Sequence, residues 1–472
     1  MITDDQNLTQ VGGHLVSQDD ASRVAKFYRA AWRWHFYAGV YVIPFFIMLA
    51  TTGLLMMWIA FIDGRDGERT VVMPQETAMA VSVQASAALD AVAGGALIQY
   101  VAPREKDLAA IFRVDSGDGA MTVVVDPYSA TVLDLFPRRS GLYDLMNNIH
   151  GTILLGVTGD RMIEVAASLG LILVATGLYL WWPRNGVKAQ LKPKFSARGR
   201  GLWKNLHSVV GFWSAGMLVI FLISGLSWAG VWGEKMVQAW SSFPADKWGA
   251  PLSEVTHGAL NDGPKEVPWV LEQTPMPASG SLAGADGLKA GVAVTLDTVD
   301  ALARSIGFEA RYQLNLPSGD TGVWTMSRDS MNTDSANPMS DRTVHVDRYS
   351  GKILADVRFA EYSLMGKAMA VGIAFHMGTI GLPFVLLNTA FCLSIIFLCI
   401  SGVVMWVKRR PEGEKGVNPP PAPRDMPVWK GAVCLALVLC LAFPMAGIAV
   451  ICALCIDLAA EAVRSRRMRA TV

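Results

Sequence analysis

The chain has 472 residues, 52% of them hydrophobic and only 17% charged, with a mean hydropathy of +0.34 and a formal net charge of +1. A soluble globular protein carries about 25% charged residues, so the composition excludes an ordinary soluble protein and points to an integral membrane protein with large polar insertions. The near-zero net charge gives no basis for binding nucleic acid.

Residues 1–33 are read as a loose polar N-terminal segment on the cytoplasmic side, turning basic towards the membrane at Arg23, Lys26, Arg29 and Arg33. Residues 34–62 form the first apolar run, interrupted only by Pro44. It exceeds the ~20 residues that cross a bilayer core, and a cleaved signal peptide has a shorter core nearer the start, so it is read as a retained span. Residues 63–141 are soluble in character and contain a β-hairpin signal: β-branched residues at 123–125, the turn Asp126-Pro127-Tyr128-Ser129, then more apolar residues. A short amphipathic stretch bearing His150 leads into a second span, the two together covering 142–182.

The next segment, 183–205, carries Arg184, Lys188, Lys192, Lys194, Arg198, Arg200 and Lys204 and no acid. Short basic loops stay in the cytoplasm, which puts both soluble insertions on the opposite side, the periplasm of a Gram-negative host. A third span covers 206–229 and a second insertion 230–365. At an offset of 221 the second insertion repeats the first hairpin: Asp126 meets Asp347, Tyr128 meets Tyr349 and Ser129 meets Ser350. These shared turns are read as structural, since Asp and Ser satisfy turn backbones. His376 and the fourth span occupy 366–407, a Pro/Gly-rich cytoplasmic linker 408–429, and a final apolar segment 430–458, before a basic tail at 459–472. One crossing by 430–458 would leave Arg464, Arg466, Arg467 and Arg469 outside, against the charge rule; a hairpin at Pro444 would have halves too short to span. A single helix is the preferred expectation. Tryptophans such as Trp34, Trp182 and Trp406 sit where apolar runs meet polar sequence, as in an interfacial belt. All six cysteines lie in the last two apolar runs, so the insertions have no disulfide framework, and without a Cys-x-x-Cys-His motif covalent haem attachment is excluded.

Four histidines carry the functional signal. His35 stands 17 residues before Thr52-Gly53, and His207 17 before Ser224-Gly225; His150 stands 26 before Thr176-Gly177, and His376 25 before Ser401-Gly402. Each half is therefore a span, an insertion, a histidine and a span. Two crossings per half make the halves parallel, related by an axis along the membrane normal. His35 then pairs with His207 near the cytoplasmic face, and His150 with His376 near the outer face. Neutral imidazole is a metal ligand, and bundle cores hold cofactors between facing helices. Zinc normally takes three or four protein ligands, whereas each pair supplies two, so the expected cofactors are two b-type haems with His35, His207, His150 and His376 as axial ligands of the iron. Glycines near the histidines (Gly39, Gly151, Gly211, Gly378) would let a flat macrocycle approach. Thr52, Thr176, Ser224 and Ser401 are expected to bond back to their helices or across them.

Other residues carry less. His14 and His257 lack matched partners and are expected at the surface; His345 aligns with Val124 and is not required as a histidine by the repeat. Arg138, Arg139 and Lys367 on the outer side, and Arg33 and Lys204 on the inner, are either haem-propionate partners or ordinary interfacial charges. Cys452-x-x-Cys455 reads as small residues in a membrane helix rather than a redox pair.

The paired Val-x-Val-Asp-x-Tyr-Ser hairpins resemble PepSY domains. His150-Gly-Thr with Thr176-Gly-Leu-Tyr-Leu-Trp-Trp-Pro-Arg184, and His376 with Ser401-Gly402 and Trp406-Val-Lys-Arg-Arg-Pro411, are similar to the PepSY-associated transmembrane family. The resemblance covers about residues 25–411. It implies a haem protein of the bacterial inner membrane, and some members of the family are ferric-siderophore reductases. The expected fold is a membrane α-helical bundle, four core spans in two parallel repeats plus a C-terminal apolar helix, with two α+β PepSY-like periplasmic insertions.

Two further function classes stand beside the oxidoreductase: a membrane-anchored module that binds or restrains a periplasmic peptidase, and a transporter built on parallel repeats, which predicts polar residues near the midplane that the four spans scarcely offer. With no Gly-x-Gly-x-x-Gly after a strand, an oxidoreductase here needs a separate cytoplasmic reductase or a quinol as donor. Its expected acceptor is an Fe(III)-siderophore, because hard oxygen chelators hold Fe(III) better than Fe(II).

Overall fold

The computed structural model describes residues 8–11, 14–182, 190–261, 266–410, 413, 419–420, 430–455 and 459, with 8–22 as backbone only. In chain order the principal elements are α1 (Gln18–Ile62), α2 (Val81–Asp90), β1 (Ala96–Val101), β2 (Ala110–Asp115), β3 (Ala120–Val125), β4 (Val132–Pro137), α3 (Leu142–Thr152), α4 (Gly156–Trp181) and α5 (Gly199–Leu226). There follow α6 (Leu296–Ser305), β5 (Gln313–Asn315), β6 (Val323–Arg328), β7 (Arg342–Asp347), β8 (Ile353–Arg358), α7 (Leu364–Met377), α8 (Leu382–Val407), α9 (Lys430–Ala442) and α10 (Pro444–Cys455). The chain forms two compact units, one of residues 1–51, 150–235 and 389–472, the other of 52–149 and 236–388.

Among the described residues four helices are long and apolar enough to cross a membrane: α4, α5, α8 and residues 23–62 of α1. The N-terminal segment expected to be loose is helical from Gln18. Between Gln18 and Ala38 there is no Gly or Pro, and extending an existing helix needs no new nucleus.

In the helical unit, small residues bring the spans together. A Cβ at Gly170 of α4 would lie 2.6 Å from Phe46 of α1 and 3.1 Å from Leu222 of α5, so only glycine allows this approach. Trp181 of α4 stacks on Phe212 of α5 with ring centres 4.0 Å apart, Phe221 of α5 meets Phe391 of α8 at 4.4 Å, and a Cβ at Gly402 of α8 would touch Ile43 of α1 at 3.8 Å. Each span thus contacts the next, and α8 closes the ring onto α1.

The final apolar segment is not one helix. α9 ends at Ala442 and α10 begins at Pro444, 13 and 12 residues in length. Pro444 has no N–H and its ring clashes with the carbonyl four residues back. Residues seven apart in a straight helix are separated by about 10 Å, yet a Cβ at Gly447 would sit 3.1 Å from the Cys440 carbonyl oxygen. The two halves therefore meet at a sharp break at Phe443, whose ring stacks on Trp232 at 5.4 Å. Neither half has the ~20 residues of a crossing.

The second unit holds one eight-stranded antiparallel sheet in the order β8-β7-β6-β5-β1-β2-β3-β4. The two insertions, expected to be α+β, share this sheet. They join at β1 and β5, where Gln99 pairs with Asn315, Tyr100 with Leu314 and Val101 with Gln313. Each four-stranded half alone would expose an unpaired edge there, and joining satisfies both. The halves match closely: both carry a bulge just before the turn, at Val124/Val125 and at His345/Val346. In both, the turn aspartate accepts the tyrosine N–H, Asp126 from Tyr128 at 2.8 Å and Asp347 from Tyr349 at 2.9 Å.

Helices α2 and α6 cover one face over a core that includes Tyr100, Phe112, Val123, Phe308, Tyr312, Met326 and Val344. Strand alternation sends Gln99, Arg113, Thr122, Gln313, Thr325, Thr343 and His345 to the other face, where they too are buried. Burial demands partners for them. Arg113 donates to Gln99 Oε1 at 3.0 Å and Thr122 Oγ1 at 3.1 Å and pairs with Asp66 at 2.7 Å. Burial works against the Asp66 charge, but Arg113 outweighs it and holds that carboxyl at about 2. Arg311 bridges Glu68 at 2.7 Å and Asp334 at 2.9 Å.

Candidate functional site

His35 lies on α1 and His207 on α5, both half-buried. Their ring centres are 6.4 Å apart and their planes are at 89°. Two metal–nitrogen bonds of about 2 Å, plus roughly 1 Å from each nitrogen to its ring centre, put the centroids of an imidazole–metal–imidazole unit about 6 Å apart. The pair has that spacing. It also has clearance: a Cβ at Gly39, one turn after His35, would meet nothing within 4 Å, and one at Gly211, one turn after His207, only Leu398 at 3.6 Å.

The outer nitrogens are fixed by hydroxyls. His35 Nδ1 lies 3.0 Å from Thr176 Oγ1, and His207 Nδ1 lies 2.8 Å from Ser401 Oγ. Thr176 donates its own proton to the Ile172 carbonyl at 2.7 Å, and Ser401 to the Leu398 carbonyl at 3.0 Å. Each hydroxyl is therefore an acceptor towards the ring, which sets the Nδ1–H tautomer and leaves the Nε2 lone pair to bind a metal. The helix bonds and cross-helix bonds expected of Thr176 and Ser401 are made at once, by the same oxygen. Gly177 completes the fit, since a Cβ there would press His35 Cε1 at 3.2 Å.

His150, near the end of α3, has its ring within hydrogen-bonding reach of the Leu49 carbonyl. His376 is the penultimate residue of α7, before Gly378 in the left-handed region at φ 73°. Asn388 Nδ2 ties down that turn, donating to the Phe375 carbonyl at 2.7 Å and the His376 carbonyl at 3.3 Å. His150 belongs to the helical unit and His376 to the other. Ser224 of α5, like Thr176, donates to a carbonyl one turn back, Ile220 at 2.7 Å.

The family model for the PepSY-associated TM region matches residues 32–409. The chain belongs to this family. No curated protein matches it.

In this PepSY-associated transmembrane protein several residues depart from expectation. His257 is buried, not at the surface, and its Nε2 is 2.8 Å from that of His345. His257 Nδ1–H donates to the Thr274 carbonyl at 2.7 Å, so its Nε2 accepts from His345, whose Nδ1 in turn accepts from Thr325 Oγ1 at 3.0 Å. Burial lowers the pKa of His257 to about 4 and, together with the charge His257 would carry, pushes His345 well below its usual value. At 4.8 Å between ring centres this pair is a direct hydrogen bond, tighter than the His35–His207 spacing. Sequence alignment missed it because Val124, the repeat equivalent of His345, faces an apolar cluster. The side chain of His14 lies outside the described residues.

Arg138 and Arg139 both pair with Glu266. Burial opposes the Glu266 charge, but the two guanidiniums hold its carboxyl below the usual range. Arg33 donates to the Pro420 carbonyl at 2.8 Å. A buried acidic group at Asp329, Asp334 and Asp341 left no periodic sign in the sequence, because its members come from one irregular stretch after β6.

Proposed function

We propose that this protein is a di-haem transmembrane oxidoreductase of the bacterial inner membrane. Electrons pass from a cytoplasmic reductase or a quinol, through sites at His35/His207 and His150/His376, to an acceptor in the periplasm. The observation that carries the reading is the His35–His207 pair, with ring centres at bis-imidazole spacing and both Nδ1 atoms committed to hydroxyl acceptors. Bound haem would supply one-electron transfer, with both axial positions filled by imidazole. The chain's own part is to hold each histidine in the ligating tautomer, exclude lipid and water from its ring, and set ligand basicity through Thr176 and Ser401. By the repeat in the sequence, His150 and His376 are the second pair of ligand candidates. Two such sites divide a ~30 Å crossing into shorter hops.

The acceptor that suits an extracytoplasmic one-electron donor in this family is an Fe(III)-siderophore. Hard oxygen ligands release iron more readily as Fe(II), so one electron frees the metal. The periplasmic side follows from the basic 183–205 loop by the charge rule.

The deciding experiment is a reduced-minus-oxidised visible spectrum with haem quantitation on wild type, His150→Ala and His207→Ala. About two b-type haems per chain, one lost in each variant, is the expected result. Haem-free wild-type protein, or full haem in both variants, overturns the reading, and haem-free protein would favour the peptidase-binding alternative.

A further inference from the structure

A small cavity in the second unit lies among Asp329, Asp341, Tyr362, Val270, Ala370 and Ile373. Its volume is about 20 Å³, room for a single water. Its polar lining includes two carboxylates and a phenol. Asp329 is 1% exposed, Asp341 5% and Tyr362 4%. Among the described residues the Tyr362 hydroxyl has no hydrogen-bond partner, which is unusual for a buried phenol.

The two carboxylates have only neutral donors. Asp329 accepts from Asn332 N at 2.8 Å and Asn332 Nδ2 at 2.9 Å, and Asp341 accepts from Ser330 N at 2.9 Å. Neither has a salt-bridge partner among the described residues. Arg311 is engaged by Asp334 and Glu68; the charges of Asp334 and Arg328 act on Asp341, and that of Glu361 on Tyr362. Two adjacent buried carboxylates cannot both stay ionised without compensation, so a cation or a proton must neutralise one. Hard cations want about six or more oxygens, and among the described residues no three His, Cys, Asp or Glu side chains converge on a metal position. The proton remains. In keeping with this, burial first and the neighbouring carboxylates second push Asp329 and Asp341 well above the usual carboxylate range.

The position of the cavity gives the proton a use. Gly366, Ala370 and Ile373 of α7 line it at helical spacing, and His376 follows Ile373 at i+3, about 4.5 Å further along the same face. We propose that this cavity is a proton-loading site: one proton resides on the Asp329–Asp341 pair at neutral pH, and a second enters from solvent when an electron reaches the His376 end of α7. The second proton converts the remaining carboxylate to the acid, so the added electron and the added proton balance in charge. Tyr362, as a neutral phenol beside the cavity water, relays the proton between water and carboxylate. The coupling rests on the di-haem reading; the resting proton does not.

The test is infrared spectroscopy of the full-length purified protein, with haem and bound metal quantified on the same sample. At neutral pH the wild type should show the C=O stretch of a buried protonated acid, lost in Asp341→Asn. Reduction should add a second acid band in the wild type, weakened in Tyr362→Phe and absent in Asp341→Asn. The midpoint potential of one haem should fall with rising pH in the wild type and lose that slope in Asp341→Asn at unchanged haem content. A missing resting band, a band that persists in both Asp341→Asn and Asp329→Asn, or stoichiometric calcium or magnesium lost in Asp341→Asn would overturn the site. A resting band without any change on reduction would overturn the coupling. Haem-free protein that keeps the resting band would refute the electron-transfer reading and the coupling but leave the resting proton established.

Discussion

Gln99 and Gln313 meet side chain to side chain where the two halves of the chain join in one sheet, Gln99 Nε2 donating to Gln313 Oε1 at 3.0 Å. The same Gln99 donates to Asn315 Oδ1 at 2.9 Å and accepts from Arg113 Nε at 3.0 Å. One amide thus serves the joint between the insertions and the buried guanidinium beside it.

Gln99→Ala should therefore destabilise the sheet unit by about 1–3 kcal/mol, the penalty for stranding a buried donor such as Arg113 Nε. Denaturant unfolding followed by tryptophan fluorescence measures it. A change within about 0.5 kcal/mol would mean that the joint does not depend on this amide.

Thr176→Val keeps the side-chain shape and removes the acceptor that orients His35; Ser401→Ala does the same for His207. Loss of such a partner typically lowers metal affinity 10–100-fold. Haem retention during dilution or competition with an apo-acceptor should fall by that order in each variant. Ser394→Ala, whose hydroxyl bonds only to the Ala390 carbonyl, should leave retention unchanged.

The acid cavity makes stability depend on pH. Asp341 is raised to about 7, chiefly by burial, against about 4 in an unfolded chain. A carboxyl raised on folding contributes stability that is complete below the unfolded value and is lost as pH rises through the folded one. His257 acts in the opposite sense: lowered to about 4 by burial, it contributes stability above its unfolded value, lost as pH falls towards 4. Comparing thermal melts of wild type and Asp341→Asn cancels the histidine effect. Between pH 5 and pH 8 the wild type should lose on the order of 1–3 kcal/mol relative to the variant; parallel curves would mean that Asp341 is not protonated in the fold.

Because α9 and α10 are separate helices, each too short to cross alone, the C-terminus should lie on the side from which 430 enters. A reporter fused after Val472 is expected to share the sidedness of one inserted in the 190–198 loop. Opposite sidedness would mean that the segment crosses once after all. Pro444→Leu, which restores the missing N–H, should lengthen the helix and make such a crossing accessible.

The sequence by itself determined the four spans, the chain's family and the ligating candidates. These are local or periodic properties: twenty apolar residues have one stable disposition in lipid, and a histidine 17 or 25 residues from a hydroxyl is visible in the order of residues alone. It also determined the hairpin turns, whose Asp-x-Tyr-Ser chemistry acts within four residues. It read residues 18–33 as loose because polar composition does not reveal a helix that merely continues a span, and it preferred one terminal helix where Pro444 allows a break. Only the tertiary structure decided that the His35 and His207 rings lie 6.4 Å apart at their centres while His257 and His345 touch directly. Only it merged two insertions into one sheet and hid Asp329, Asp341 and Tyr362 together. The physical reason is that burial belongs to no single residue: an aspartate or histidine reads the same in sequence whether it faces water or a dry cavity. Its protonation and its partners are set by which distant segments exclude the solvent around it.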